Sequence, residues 1–226
     1  GLYSPVIAAS PIFSIQAPEA VPPKGEFDAH FMLSSDAPLN AYLVRIQFQS
    51  DAVGVVRINS GKSIIDVWQS QPQESRDGLI EFAGGSTKPF LGTGELLTVR
   101  FRAIREGTAI ISYKQSEAYS ADGKGTKAES LSSQFQISID PNAAPISNDE
   151  SADSAPPTIN ALSLENDPFN PNQKFLVFSV DDRDSGVKET LARYRKYFAW
   201  SDWEKVNNPA AVPANAWAVQ FAASDN

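Results

Sequence analysis

Apolar and polar residues alternate with a period of two along most of the chain, in short runs separated by turn residues. The pattern is clearest in 77–113, where it predicts three short strands at 79–83, 96–103 and 108–113 separated by glycine-containing turns. Such alternation is typical of antiparallel strands with one face buried, and two buried faces packed together form a sandwich. The sequence therefore predicts an all-β protein.

The segment before these strands has the same pattern. Predicted strands cover 11–16, 27–33, 40–49, 51–60 and 64–69. In the last of these, alternation places Asp66 and Trp68 on one face of the strand. Trp68 is either a core residue or an exposed contact residue, and the large area that an aromatic side chain can bury favours the core.

Composition divides the chain into four parts. Residues 141–157 are rich in Pro, Ser, Asn and acidic residues, and such a segment is expected to form an extended linker. It separates a first β-sandwich, 11–140, from a smaller β-unit, 158–226. Residues 1–10 form a short apolar arm that carries Leu2, Tyr3, Val6 and Ile7. This arm is either a frayed tail or an extended strand that adds to a sheet edge.

Charge and composition exclude several classes of function. The chain has no cysteine, which removes disulfides and thiolate metal sites, and its single histidine, His30, is interpreted as a solvated strand residue without a role. A net charge of -8 argues against nucleic-acid and anionic-lipid partners. No apolar run is long enough to span a membrane, and any export signal is expected to have been removed. A secreted location is compatible with these features.

The order of motifs in residues 11–140 resembles the cohesin family of bacterial cell-surface and cellulosome modules. The most specific pieces are GTGELLTVRFRA, EGTAIISY and ADGKGT, in that order. The resemblance implies an antiparallel jelly-roll β-sandwich, no catalysis, and a sheet face that holds a dockerin domain of another protein. Strand parity assigns the candidate partner-binding face to Asp66, Trp68, Leu79 and Glu81.

Residues 158–226 resemble bacterial immunoglobulin-like repeats, with an acidic turn before the strand VKETLARYRKYF. Asp182 and Asp184 have the spacing of a calcium loop, but the twelfth position is Arg193 instead of glutamate, so an aspartate-capped turn is the alternative. The resemblance implies that one further strand follows FAASDN, so this domain is expected to be incomplete at its C-terminus. A core is predicted from the following aromatic residues: Tyr194, Tyr197, Phe198, Trp200, Trp203 and Trp217.

Three classes of function follow from these features. An enzyme is disfavoured because no recognisable signature joins a nucleophile, a base or a pair of carboxylates, and no cofactor is expected apart from possible calcium. A non-catalytic bacterial cell-surface or secreted module that binds a dockerin-like protein is the main hypothesis. The alternatives are a filament subunit, whose arm completes a neighbour's C-terminal domain, and an adhesin that binds polysaccharide.

Overall fold

The computed structural model describes residues 10–75, 78–146, 155–183 and 185–225. All regular structure in these ranges is β-strand, as predicted, and none of it is a helix that could cross a membrane. Buried apolar side chains form two separate clusters, one within residues 13–139 and one within residues 176–212. Each cluster is the core of one unit.

The first unit contains ten strands. They are β1 (Ile12–Gln16), β2 (Ala20–Val21), β3 (Glu26–Phe48), β4 (Val53–Asn59), β5 (Val67–Ser75), β6 (Leu79–Ala103), β7 (Gly107–Ser120), β8 (Lys127–Ala128), β9 (Leu131–Ser132) and β10 (Gln134–Ile139).

Two very long strands, β3 and β6, join the layers of this unit. The first half of β3 pairs with β1 and with the second half of β6, whereas the second half of β3 pairs with β7 and with the first half of β6. The pairing register shifts between Ser35 and Leu39 of β3, where both strands pass from one layer to the other. Strand β4 extends the first layer and β5 extends the second. The result is a sandwich of curled sheets around one core.

The sequence predicted separate strands at 27–33 and 40–49, and again at 79–83 and 96–103. The structure joins each pair into one continuous strand, so the glycine-containing turn expected between 83 and 96 is a bend within β6. Glycines make the bend of β6 possible. Gly92 has a φ of 102°, which a side chain would strain, and a Cβ on Gly84 would lie 2.5 Å from the Val67 carbonyl oxygen.

The second unit contains seven strands. They are β11 (Thr158–Asn166), β12 (Lys174–Asp181), β13 (Val187–Lys196), β14 (Ala199–Trp200), β15 (Glu204–Lys205), β16 (Ala210–Val212) and β17 (Ala216–Asp225).

These strands form two small sheets packed face to face. One sheet has the order β11-β12-β16, and in the other β13 pairs with β14, β15 and β17. The Phe178 ring of β12 lies 4.5 Å from the Phe221 ring of β17, so β12 packs over β17. Tyr194 is buried, as the sequence predicted, but the rest of the core consists of aliphatic residues and Phe178.

The two units contact each other directly. Gly186, at the start of β13, lies so close to Ser60 that a Cβ there would be 2.6 Å from the Ser60 backbone nitrogen. The backbone N–H of Asn208 donates to the Gln69 carbonyl oxygen at 3.2 Å. The second unit therefore packs near β4 and β5, at one side of the first unit.

Candidate contact surfaces

One broad outer surface, which we call the contact face, is formed by three strand segments. They are the second half of β3, the first half of β6, and β7. Inward residues such as Tyr42, Val44 and Phe82 are buried, and the residues that alternate with them point outward and are partly exposed. The outward residues that form the contact face are Ala41, Leu43, Arg45, Gln47, Leu79, Glu81, Ala83, Gln115, Glu117 and Tyr119.

An ion pair crosses the middle of the contact face. Arg45 on β3 stands opposite Glu81 on β6 in the strand register, and its Nε donates to Glu81 Oε2 at 2.9 Å. Both side chains are between a third and a half exposed. Exposed pairs of this kind contribute about 0–1 kcal/mol to stability. The two groups can therefore exchange partners at little cost, which suits a surface that meets another molecule.

Glu117 on β7 is held by three donors. Its carboxylate accepts hydrogen bonds from Gln115 Nε2 at 2.9 Å and from the Tyr119 hydroxyl at 2.7 Å, and it pairs with Lys127 Nζ at 2.8 Å. The lysine, followed by the two hydrogen bonds, lowers the pKa of Glu117 to about 2. This side of the contact face therefore presents a fixed carboxylate at all physiological pH values.

The structure places two of the four residues predicted to bind a partner on the contact face. Leu79 and Glu81 point outward from β6. Asp66 is exposed at the edge of the sheet, where its carboxylate accepts the backbone N–H of Thr87 at 2.8 Å. Trp68 is only 9% exposed and packs edge-on against Phe82 in the core. The expectation that Asp66 and Trp68 share a face is therefore wrong, because β5 begins only at Val67 and the backbone before it is irregular.

A groove lies between the contact face and the second unit. Its volume is about 420 Å³, and its floor contains Leu43, Arg45 and Glu81. Asn208 and Pro209, in the loop between β15 and β16, form the opposite wall. Sequence alternation alone could not reveal this groove, since part of its wall comes from the other unit.

The other layer of the first unit carries a buried ion pair. Arg100 is 5% exposed, and its guanidinium makes two hydrogen bonds to Asp28, at 2.8 and 2.9 Å. The arginine holds the pKa of Asp28 below its usual range, although burial opposes this effect. His30 was predicted to be solvated beside Asp28. It is partly exposed, and its Nδ1 lies 2.9 Å from both Glu95 Oε2 and Thr98 Oγ1.

Arginines and tryptophans alternate on the outer surface of the second unit, in an arrangement we call the arginine–tryptophan ladder. The Arg193 guanidinium lies 5.1 Å from the Trp200 ring centre and 4.7 Å from the Trp203 ring centre. The Arg195 guanidinium lies 5.8 Å from Trp200 and 4.7 Å from Trp217. Each contact has the geometry of a cation–π interaction.

The ladder contradicts the predicted aromatic core. Trp203 is 41% exposed and Trp217 is 62% exposed, while Tyr197 and Phe198 are more exposed still. Arg193 and Arg195 point outward at alternate positions of β13, and the indole rings lie against them on the outer surface of the sheet. The spacing R-Y-R in the sequence is the signal that could have revealed this, because the arginines flank an inward Tyr194.

The remaining predicted sites fall partly outside the described residues. Leu2, Tyr3, Val6 and Ile7 of the arm lie outside them, as does Asp184 of the proposed calcium loop. Asp182 accepts hydrogen bonds from the Ser185 backbone and hydroxyl, as a turn-capping aspartate does. Within the described ranges, no three acidic, histidine or cysteine side chains are grouped as metal ligands.

Comparison with known proteins identifies the fold of the first unit. The seventh ScaB type I cohesin from Pseudobacteroides cellulosolvens superposes with a TM-score of 0.52 at 13% identity, over 62% of this chain and 98% of that chain. The sixth cohesin of Acetivibrio cellulolyticus scaffoldin B, solved with a Cel5 dockerin mutant, has a TM-score of 0.50 at 11% identity, over 58% of this chain and 100% of that chain.

A third similar structure is the OlpA cohesin of Clostridium thermocellum in complex with a dockerin, with a TM-score of 0.50 at 12% identity, over 58% of this chain and 99% of that chain. The sequence matches no protein-family model and no curated protein. The structural likeness confirms the predicted jelly-roll β-sandwich of the cohesin type for about three fifths of the chain. The immunoglobulin-like character of residues 158–226 stays a prediction.

Proposed function

We propose that this chain is a non-catalytic module that binds a dockerin-like domain of another protein on its contact face. The observation that carries the proposal is the composition of this face: the paired apolar residues Leu43 and Ala83 lie next to the ion pair of Arg45 with Glu81. Protein interfaces commonly combine an apolar centre with a polar rim. The cohesin fold of the first unit supports the proposal, since the OlpA cohesin was solved bound to a dockerin.

The groove beside Leu43 gives such a partner a place to anchor. A cavity of about 420 Å³ can accept one large side chain, and anchors of this type supply most of the binding energy of many interfaces. Arg45 and Glu81 at the groove's floor can then pair with charges of the partner. We propose that the module acts outside a bacterial cell, either on its surface or secreted from it, which labelling of intact cells with an antibody would test.

A panel of calcium-loaded dockerin domains tests this function by biolayer interferometry. We expect at least one to bind the native chain, and both Leu43→Asp and Arg45→Glu to weaken that binding at least tenfold. Leu131→Asp is the matched control, because Leu131 is 61% exposed and belongs to β9, away from the contact face. Failure of the whole panel to bind, or equal binding by Leu43→Asp, would refute the proposal.

A specific observation favours polysaccharide attachment as a second candidate function. Trp203 and Trp217, at the two ends of the ladder, each lie against an arginine and are 41% and 62% exposed. Flat exposed indole rings can stack on sugar rings, and the guanidinium groups beside them can donate to hydroxyl or carboxylate oxygens. A second surface for attachment would then lie on the unit that does not carry the contact face.

A glycan array with neutral and uronic-acid polysaccharides tests this second function. We expect binding that Trp217→Ala abolishes and Phe169→Ala retains. Phe169 is the matched control because it is 96% exposed in the same unit but lies in the β11–β12 turn. An array without any bound polysaccharide, or full binding by Trp217→Ala, would refute it.

A further inference from the structure

One apolar row of the second unit is left uncovered. In the register of β11 and β12, Leu162 stands opposite Phe178 and Leu164 stands opposite Leu176. Directly paired residues of an antiparallel sheet point to the same face. Phe178 and Leu176 are 6% and 1% exposed, whereas Leu162 and Leu164 are 48% and 50% exposed. The row on β11 therefore continues the core, but no described residue covers it.

The topology shows which margin of the sandwich is open. Residues 206–209 join β15 to β16. This short link keeps β16 over the β15 side of the other sheet, where Ala210 and Val212 are buried. Since β12 packs over β17, β11 must lie beyond it, over the free edge of β17. Among the described strands, β11 pairs only with β12, and β17 pairs only with β13. We call this gap, between the free edges of β11 and β17, the open margin.

The side chains of β17 are incompletely covered at the same margin. Val219, Phe221 and Ala223 pack against the core of the second unit but are only partly buried. Apolar rows on two facing sheets, each beside an unpaired edge, form a slot for one additional strand. Natural proteins rarely leave such edges open, because they promote pairing with other chains.

We propose that the open margin accepts residues 1–9 of a second copy of this chain as an added strand along β17. The segment GLYSPVIAA has no charged side chain, and it carries Leu2, Tyr3, Val6 and Ile7. All nine of these residues can pair along β17, which has ten residues. Pro5 lacks an amide donor, which an edge strand tolerates on its outward side.

The position of β1 favours a second copy over the chain's own segment. In its layer, β1 pairs with β3 and β9, and β6 and β3 separate it from β4. The second unit packs near β4 and β5. Ser10, which leads into β1, therefore lies at the side of the sandwich opposite to its own second unit, and the open margin of a neighbour is the partner we assign to residues 1–9.

This contact joins unlike surfaces of two subunits. A head-to-tail contact without closure repeats indefinitely and builds a filament. The inference does not depend on the contact face, because no residue of the open margin belongs to that face. If no dockerin bound, the proposed filament contact would still stand. If no filament formed, the proposed dockerin binding would still stand.

Engineered cysteines test the pairing, since the native chain has none. We expect Val6→Cys in one preparation and Leu162→Cys in another to form, after mixing and mild oxidation, a disulfide-linked dimer on a non-reducing gel. Val6→Cys mixed with Leu131→Cys should give no such dimer, because Leu131 is as exposed but lies in the first unit. If Val6→Cys/Leu162→Cys in one chain gave only an intramolecular bridge, the assignment to a second copy would be wrong.

Complementary variants test the assembly. We expect the native chain to sediment as large species, whereas Val6→Asp/Ile7→Asp and Leu162→Asp/Leu164→Asp should each remain monomeric. Their equimolar mixture should stop at dimers, since it contains one intact donor and one intact acceptor per pair. The donor variant changes neither described core, so it reports on assembly even where the acceptor variant folds poorly. A native chain that stays monomeric, or a donor variant that still assembles, would overturn the proposal.

Discussion

Replacement of Trp68 by alanine measures whether this residue belongs to the core or to a binding surface. An indole of this kind buries about 200 Å², and at about 25 cal/mol/Å² its transfer from water contributes about 5 kcal/mol. The unfolded chain already hides part of this area, and large-to-alanine substitutions in cores cost about 3–5 kcal/mol. With 9% of the residue exposed and Phe82 packed on its ring, we expect a loss of about 4 kcal/mol in the free energy of unfolding.

Urea unfolding followed by far-ultraviolet circular dichroism checks this value. Trp68→Phe should lose less than half as much, because it keeps a ring against Phe82. Leu79→Ala, on the half-exposed contact face, should lose less than about 1 kcal/mol. If Trp68→Ala lost less than about 1 kcal/mol, the residue would not be a core residue, and the original assignment to a partner-binding face would regain its basis.

Three further substitutions have defined outcomes. Asp28→Asn leaves the buried Arg100 without its carboxylate, so we expect a loss of about 3 kcal/mol at pH 7 in chemical denaturation. Because the pKa of Asp28 is lowered on folding, its stabilisation is present above the unfolded pKa of about 3.9 and is lost as the pH falls below it, so the two proteins should converge in acid. Gly84→Ala forces a methyl group to 2.5 Å from a carbonyl oxygen of β5, and faster hydrogen exchange in β5 should reveal its detachment. Glu117 should titrate near pH 2 by carbon NMR, and Lys127→Ala should raise that midpoint; an unchanged midpoint would contradict the assigned cause.

The period-two pattern predicted the strands well because burial of one face follows directly from alternation. It could not show that β3 and β6 are continuous. The polar and proline-containing segment around Asp36 resembles a turn in sequence, yet the long strand only bends there and changes partners. Alternation describes which face a residue occupies, and it carries no information about how far a strand extends.

The site residues show the same limit. Alternation of side chains along a regular strand placed Leu79 and Glu81 correctly on the outer surface. Parity failed for Trp68, because the count began in irregular backbone before β5. The separate prediction that Trp217 lies in an aromatic core also failed, because its indole lies against Arg195 on the outer surface and is 62% exposed. Whether such a tryptophan is buried or exposed depends on which side chains lie beside it on neighbouring strands. A single sequence does not show which strands are neighbours.

The pairing of β3 with β6 has a consequence for how the protein acquires its structure. Glu26 stands opposite Arg102 in the strand register. The first residues of β3 can therefore pair with β6 only after a further 76 residues have been synthesised. Contacts between such distant residues slow folding, because a long loop must close before any of them forms. About a hundred residues with apolar, strand-forming sequence must therefore emerge before the first layer closes, and a chaperone that shields them during synthesis or export would raise the yield of native protein.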